Sequence, residues 1–443
     1  MQNNSIAIVG CGIAGISASI ELIKRGIPHT IFEAKNFIGG RFYSFYDKHL
    51  GFEIDNGQHL FSSAYDNFFS LIEFLGTLNY VEKLDKPEIL FFQSNNHTIK
   101  LKEIFFTGKV GTLFGLLFFN YLPFRSRISV LKFFLHLNDS KTNGNESTNA
   151  FDYLLLHKQE RSTIDKFWNP IAVSIFNNSL QRIPANLFVE TLKLAFLRNS
   201  RQNGFTYSIV PQSHLIVRFP RILEKNGGKL LLATSVQKIQ KNGNHFEIQT
   251  NSNQKFLFDY VILCVQPNVL KRLLPDDWLQ MSYFDFLHKV NFNPIVSIYV
   301  TTPNEITTSK FGFLSNSSAH WIFNKTRMCK LNFPPYLYSF TTSNAHQLHP
   351  MQQSELIKMI EEDVNKLFNK KVSFINSKVI KDKFATIDLD IEFNKLRPKQ
   401  ESPIDGLFIA GDWTQTGLPA TLESAALSGK LAVLKMLNYL NRI

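Results

Sequence analysis

The chain is 443 residues long, 44% hydrophobic and 19% charged, which excludes a minimal binding module and a disordered segment and leaves room for two or three domains. Its three cysteines, Cys11, Cys264 and Cys329, cannot all pair internally and form no C-x-x-C, which argues against a secreted disulfide scaffold, a cysteine zinc site or a dithiol redox centre. The net charge of +12 would suit an anionic partner, but the basic residues are scattered, as A/T-rich coding bias also produces, and no nucleic-acid partner is expected.

The opening MQNNSIAIVG has no basic leader region, and no uncharged run reaches the ~18–20 residues that cross a bilayer. A cytoplasmic protein is expected, with peripheral attachment to the cytoplasmic membrane as the alternative. Residues 5–9 read as a buried parallel strand, followed by the turn Gly10-Cys11-Gly12-Ile13-Ala14-Gly15 and a helix to about Arg25, stopped by Gly26 and Pro28. Residues 29–32 form the next strand and end at Glu33. Residues 104–121 are strongly apolar, broken by Lys109 and two glycines, and Arg125, Arg127 and Lys132 follow. The stretch 104–136 would lie in a membrane interface, or else form a buried helix pair. Residues 138–149 read as a polar loop, 151–159 and 164–176 as helices, and 230–239, 256–265, 290–301 and 336–342 as strands. The tail repeats the opening logic: strand 406–410, turn Gly411-Asp412, helix 422–439.

A glycine-rich turn alone is weak evidence, but here it joins a strand to a helix and precedes an acidic residue about 20 positions on. The first glycine permits the tight turn, the second lets backbone approach a diphosphate, and the third seats the helix on the sheet. Helix N–H groups then meet the diphosphate, and Glu33 would accept hydrogen bonds from an adenosine ribose. Two further features favour FAD over NAD: Gly39-Gly40-Arg41, whose arginine would pair with phosphate, and Gly411-Asp412, whose carboxylate would hold a ribityl hydroxyl.

The segments IAIVGCGIAGISASIELIKRG, IFEAKNFIGGR, EIDNGQH and GLFIAGDWTQTGLPATLESAALSG resemble the flavin amine oxidase and phytoene desaturase superfamily. DNGQH together with GDWTQTGLPATLESA is similar, within it, to the hydroxysqualene dehydroxylases, as are FWNPIAVSIFN and the stretch from GFTYSIV to SVQKI. The resemblance implies an α/β fold in which a Rossmann-like FAD-binding domain is interleaved with an α+β substrate-binding domain. The division would be 1–75, 205–270 and 395–443 for the cofactor and 76–204 and 271–394 for the substrate. Gly10, Gly12, Ile13, Ala14 and Gly15 would hold the diphosphate, Glu33 and Ala34 the ribose side, and Gly40 and Arg41 the phosphate side. Gly57, Gln58 and His59 would pass close to the isoalloxazine, and Val236 would contact adenine through its backbone. Gly411 and Asp412 would hold the ribityl chain, and Ala420, Thr421 and Leu422 would present a helix N-terminus to the flavin, where negative charge develops on reduction.

The implied activity is loss of a hydroxyl from a long isoprenoid, with hydride from reduced flavin, giving squalene for hopanoid synthesis. Such a reaction needs an apolar channel, consistent with 42 phenylalanines, and an acid for the departing hydroxide. His59, Asp55 and Glu423 are the candidate acids. Each has a structural alternative: orienting the flavin, capping a turn, and favouring a helix N-terminus, respectively. No second dinucleotide motif occurs, so electrons would come from docked NAD(P)H or a partner reductase. A carotenoid-type desaturase or isomerase, a flavin amine oxidase and a lipid escort protein without cofactor are the competing readings. His346 and His349 have H-x-x-H spacing without a third ligand, and no metal site is expected. Cys11 reads as a small packing residue.

Overall fold

A computed structural model describes residues 5–84, 88–102, 109–137, 144, 146–197, 204–331 and 333–441. β1 (Ile6–Val9) is buried along its whole length, as a continuous apolar run requires in a sheet covered on both faces. It leads through the glycine turn into α1 (Ile13–Ile23), in which every residue except Ser17 is buried. β2 (Thr30–Phe32) returns parallel to β1. The strand Tyr260–Leu263 pairs with β1 on the other side, Leu407–Ile409 lies beyond it, and Lys229–Leu231 flanks β2, giving a five-stranded parallel sheet drawn from distant parts of the chain.

The closing helix, Leu422–Leu440, lies against α1. Ser17 Oγ donates to the Ala426 carbonyl at 2.6 Å. A Cβ on Gly429 would stand 2.1 Å from the Ala14 carbonyl oxygen, so only glycine lets the two backbones approach this closely.

A second, seven-stranded sheet runs in the order Asn376–Ile387, Phe292–Thr302, Tyr336–Thr342, Trp321–Asn324, Phe311–Leu314, Glu88–Gln93, His97–Lys102. One face carries Val296, Ile298 and Val300 and is covered by Leu356, Ile360 and Val364 of the helix Gln353–Phe368. Strand alternation turns the cross-strand row Ser297, Thr341, Trp321, Phe313 and Phe91 to the opposite face. The hairpin of β3 (Ser44–Asp47) and β4 (Phe52–Asp55), followed by α2 (Asp66–Phe74), joins the two layers. Helices Phe124–Leu137, Ala150–Leu156, Asn169–Phe176 and Ala185–Leu192 gather around the fully buried Trp168, whose Nε1 donates to Gln159 Oε1 at 3.0 Å.

The expected strand 230–239 is two strands, Lys229–Leu231 and Val236–Asn242, in different sheets. Ala233 adopts φ +51, and the N–H groups of Ala233 and Thr234 leave the sheet to bond the carbonyls of Lys35 and Glu33. The expected strand 256–265 likewise divides into Lys255–Phe258 and Tyr260–Leu263, because Asp259 turns onto Ser5. Of the apolar stretch 104–121, residues 104–108 lie outside the described residues, and the remainder contains the helix Lys109–Leu117. Residues 138–143 and 145 of the expected polar loop lie outside them too.

Candidate functional site

Gly10 holds φ +100, and a Cβ there would meet the Cys264 carbonyl oxygen at 2.6 Å. A Cβ on Gly15 would stand 2.0 Å from the Gly10 carbonyl oxygen, so α1 begins pressed onto its own turn. Gly12 is different. A Cβ there meets nothing closer than the Gly39 carbonyl at 3.9 Å, so packing within the chain does not require a glycine here. Gly12 is the N-cap of α1 and offers no side-chain cap, and the first turn, with Ile13, Ala14 and Gly15, holds no acidic residue. That is a helix start suited to an anion. The Cys11 thiol is buried, and burial followed by the Glu33 charge pushes its pKa up, in keeping with a packing role.

Glu33 follows β2, and its carboxylate accepts from the Cys11 N–H at 2.8 Å and the Lys35 N–H at 2.9 Å, with Ala34 between. Gly39 bridges to Gly12, and a Cβ on Gly40 would lie 3.3 Å from Gly12 Cα. The strand opened by Val236 is brought to Glu33 by the Thr234 N–H on the Glu33 carbonyl at 2.9 Å. Arg41, expected on the phosphate side, donates from Nη2 to Asp412 Oδ1 and from Nη1 to the Ala385 carbonyl, both at 2.7 Å. Burial opposes its charge, but Asp412 outweighs it and raises the guanidinium above its ordinary value. The two ends of the chain are therefore tied by an ion pair as well as by the α1 contact.

The Gly411 N–H donates to Ser428 Oγ at 2.9 Å, and Ser424 Oγ donates to the Asp412 carbonyl at 3.1 Å. Ala420, Thr421 and Leu422 stand at the start of the closing helix, where Thr421 Oγ1 caps the Ser424 N–H at 3.3 Å. Sequence reasoning missed Arg397, which underlies this loop. Its buried guanidinium donates to the carbonyls of Asp412, Trp413, Thr414 and Leu418, and desolvation brings its pKa down to about 10 despite Asp412. No local pattern marks it, because all four partners are backbone groups.

The candidate acids divide. Asp55 is fully buried; its Oδ1 accepts from Ser44 Oγ and the Gln212 N–H, and its Oδ2 from Lys325 Nζ at 2.9 Å. Glu423 accepts from the Asn67 N–H and Nδ2 and from the Phe68 N–H, capping the start of α2. Burial raises its pKa against those bonds. Both carboxylates are thus engaged beyond what was expected, Glu423 by a helix other than its own and Asp55 by a buried lysine. His59 lies beside Phe42 with ring centroids 5.9 Å apart. Desolvation lowers its pKa to about 4; Asp55 opposes this, and Arg41 and Lys325 add to it. His59 is neutral at pH 7. Gln58 Nε2 donates to the His59 carbonyl at 3.1 Å and Gln58 Oε1 accepts from Lys325 Nζ at 2.7 Å, so the turn of Gly57, Gln58 and His59 is held by a lysine that sequence reasoning also missed. Leu60 and Ile209 pack with Phe311, Phe323 and Trp321, placing an aromatic wall next to this turn. His346 Nε2 is engaged by Asn293 Oδ1 at 3.0 Å, and among the described residues no three His, Cys, Asp or Glu side chains gather as a metal site.

A parallel sheet with a glycine cradle and a buried acid at its second strand, tied through Arg41 to a carboxylate from a distant part of the chain, is the arrangement of a dinucleotide-binding fold. The sequence matches the family described as flavin containing amine oxidoreductase over residues 13–437, and the chain belongs to that family. It is an FAD-dependent oxidoreductase, with a Rossmann-like FAD-binding domain interleaved with an α+β substrate-binding domain. It is 26% identical to a hydroxysqualene dehydroxylase of Zymomonas mobilis, covering 96% of this chain and 97% of that one. A zeta-carotene desaturase of Capsicum annuum is 23% identical, over 96% and 80% of the two chains. Among solved structures, a putative protoporphyrinogen oxidase from Exiguobacterium superposes with a TM-score of 0.74 at 15% identity over the whole of both chains, a likeness of fold.

Proposed function

We propose that this protein removes the hydroxyl of hydroxysqualene to give squalene, as a step of hopanoid synthesis. The observation that carries the reading is similarity to a hydroxysqualene dehydroxylase along nearly the full length of both chains, and the motifs DNGQH and GDWTQTGLPATLESA support it. FAD, once reduced, supplies the hydride. Gly10, Gly12, Ile13, Ala14 and Gly15 would bind its diphosphate, and Glu33 with Ala34 its ribose. Gly40, Arg41, Gly411 and Asp412 would bind the linking chain, Val236 the adenine, and Ala420, Thr421 and Leu422 the ring's pyrimidine edge. The cofactor part would comprise 1–75, 205–270 and 395–443.

The substrate carbon gains hydride as its C–O bond breaks, and the departing hydroxide takes a proton to leave as water. The wall of Trp321 and Phe323, stacked at 6.2 Å, would exclude water and face the transient allylic cation with aromatic π density. Neutral His59 would orient the leaving group at the turn. Electrons would arrive from NAD(P)H or a reductase. Phe118, Phe124 and Leu135, which are 58%, 67% and 56% exposed, flank Arg125 and Lys132, and this basic, apolar surface would take up a bilayer-dissolved isoprenoid at an anionic membrane face.

The test is anaerobic incubation of dithionite-reduced protein with hydroxysqualene and mass spectrometry of the product. Squalene is expected; its absence overturns the reading. A carotenoid-type desaturase would instead bleach oxidised flavin on mixing with its polyene precursor, and an amine oxidase would release peroxide from simple amines.

A further inference from the structure

Lys325 is 3% exposed and Asp55 is fully buried, and together they form an ion pair between residues 270 positions apart. Asp55 ends β4, whereas Lys325 leaves the strand Trp321–Asn324 of the seven-stranded sheet. The pair therefore ties the β3–β4 hairpin to the seven-stranded sheet. Packing does not need it: Leu50, Ile54, Tyr299 and Leu337 already join the hairpin to the sheet through an apolar cluster. A buried ion pair is no better for stability than such a cluster, because both charges must leave water. What the charge adds is its second bond, from Nζ to Gln58 Oε1 at 2.7 Å, and Gln58 in turn donates to the His59 carbonyl. The ammonium therefore bridges the Asp55 carboxylate and the Gln58 side chain. Burial opposes the Lys325 charge, but Asp55 more than compensates and holds the pKa above its ordinary value.

We propose that Lys325 is a positioning residue for the turn 57–59, acting through Gln58, and that its buried ammonium supplies positive potential that favours the reduced, negatively charged flavin. This rests on the reading that the flavin ring lies against that turn. A fixed charge in a water-poor site acts on the cofactor with little screening.

The test is the midpoint potential of the bound flavin, measured on FAD-loaded protein by dye-equilibrated reduction. Lys325→Met is expected to retain FAD and shift the potential to a more negative value, and Lys325→Arg to stay near the parent value. Where Lys325→Met fails to fold because Asp55 is left unpaired, Asp55→Asn, which removes the countercharge and leaves the ammonium, is expected to shift the potential in the positive direction. FAD-loaded variants with an unchanged potential would overturn this proposal and leave the flavin reading intact. A parent protein that takes up no FAD in a fluorescence titration would overturn both.

Discussion

Glu423 receives the Asn67 N–H, Asn67 Nδ2 and the Phe68 N–H, so its carboxylate serves the first turn of α2. Glu423→Ala would strand those donors and is expected to cost about 1–3 kcal/mol in urea unfolding. Glu423→Gln, which keeps one acceptor, should cost less. Two glycines separate binding from folding. Gly12→Ala adds a Cβ that makes only an ordinary contact with the Gly39 carbonyl and should leave stability within about 0.5 kcal/mol of the parent while weakening FAD retention on gel filtration. Gly15→Val drives into the Gly10 carbonyl oxygen and should cost about 3 kcal/mol by the same unfolding measurement. His59, at about 4 in the folded state, is neutral where an unfolded histidine, near 6.5, is charged. The unfolded chain then binds the extra proton, so stability falls as pH drops from about 6.5 towards 4, by at most about 3 kcal/mol for this group. His320, also lowered to about 4 by desolvation, adds to the trend. His59→Asn should therefore reduce the loss of urea midpoint between about pH 7 and 5 without abolishing it.

Between elements, legibility followed the range of the signal. The glycine turn, β2 and the Gly411-Asp412 turn are written in consecutive residues, and the strand Tyr336–Thr342 stands at the bounds expected for it. The break at 232–235 carries neither glycine nor proline, and Ala233 takes φ +51 only because Glu33 and Lys35 offer carbonyls to the passing chain. Lys325 and Arg397 were illegible for the same reason: their partners are a carboxylate 270 residues away and the carbonyls of a separate loop. The contact of α1 with the closing helix is at backbone distance, so Gly429→Leu should separate the helices, lower the melting temperature and release FAD, as thermal scans with flavin fluorescence would register.

For the whole molecule, no helix among the described residues is long and apolar enough to cross a membrane; the proposed membrane contact would run through the exposed Phe118, Phe124 and Leu135. Flotation with anionic vesicles is expected to carry the protein upward, and Phe118→Ser/Phe124→Ser to leave it at the bottom of the gradient. The packing of α1 carries a different cost. α1 is buried on nearly every side, and the element that covers it is synthesised roughly 400 residues later, a separation that slows productive pairing. Until then the nascent chain carries a sticky, unshielded segment, the condition under which chaperones are recruited and aggregation competes. On the proposed placement of FAD, its enclosure would wait for the closing helix, and overexpression at low temperature should raise the yield of yellow, loaded protein.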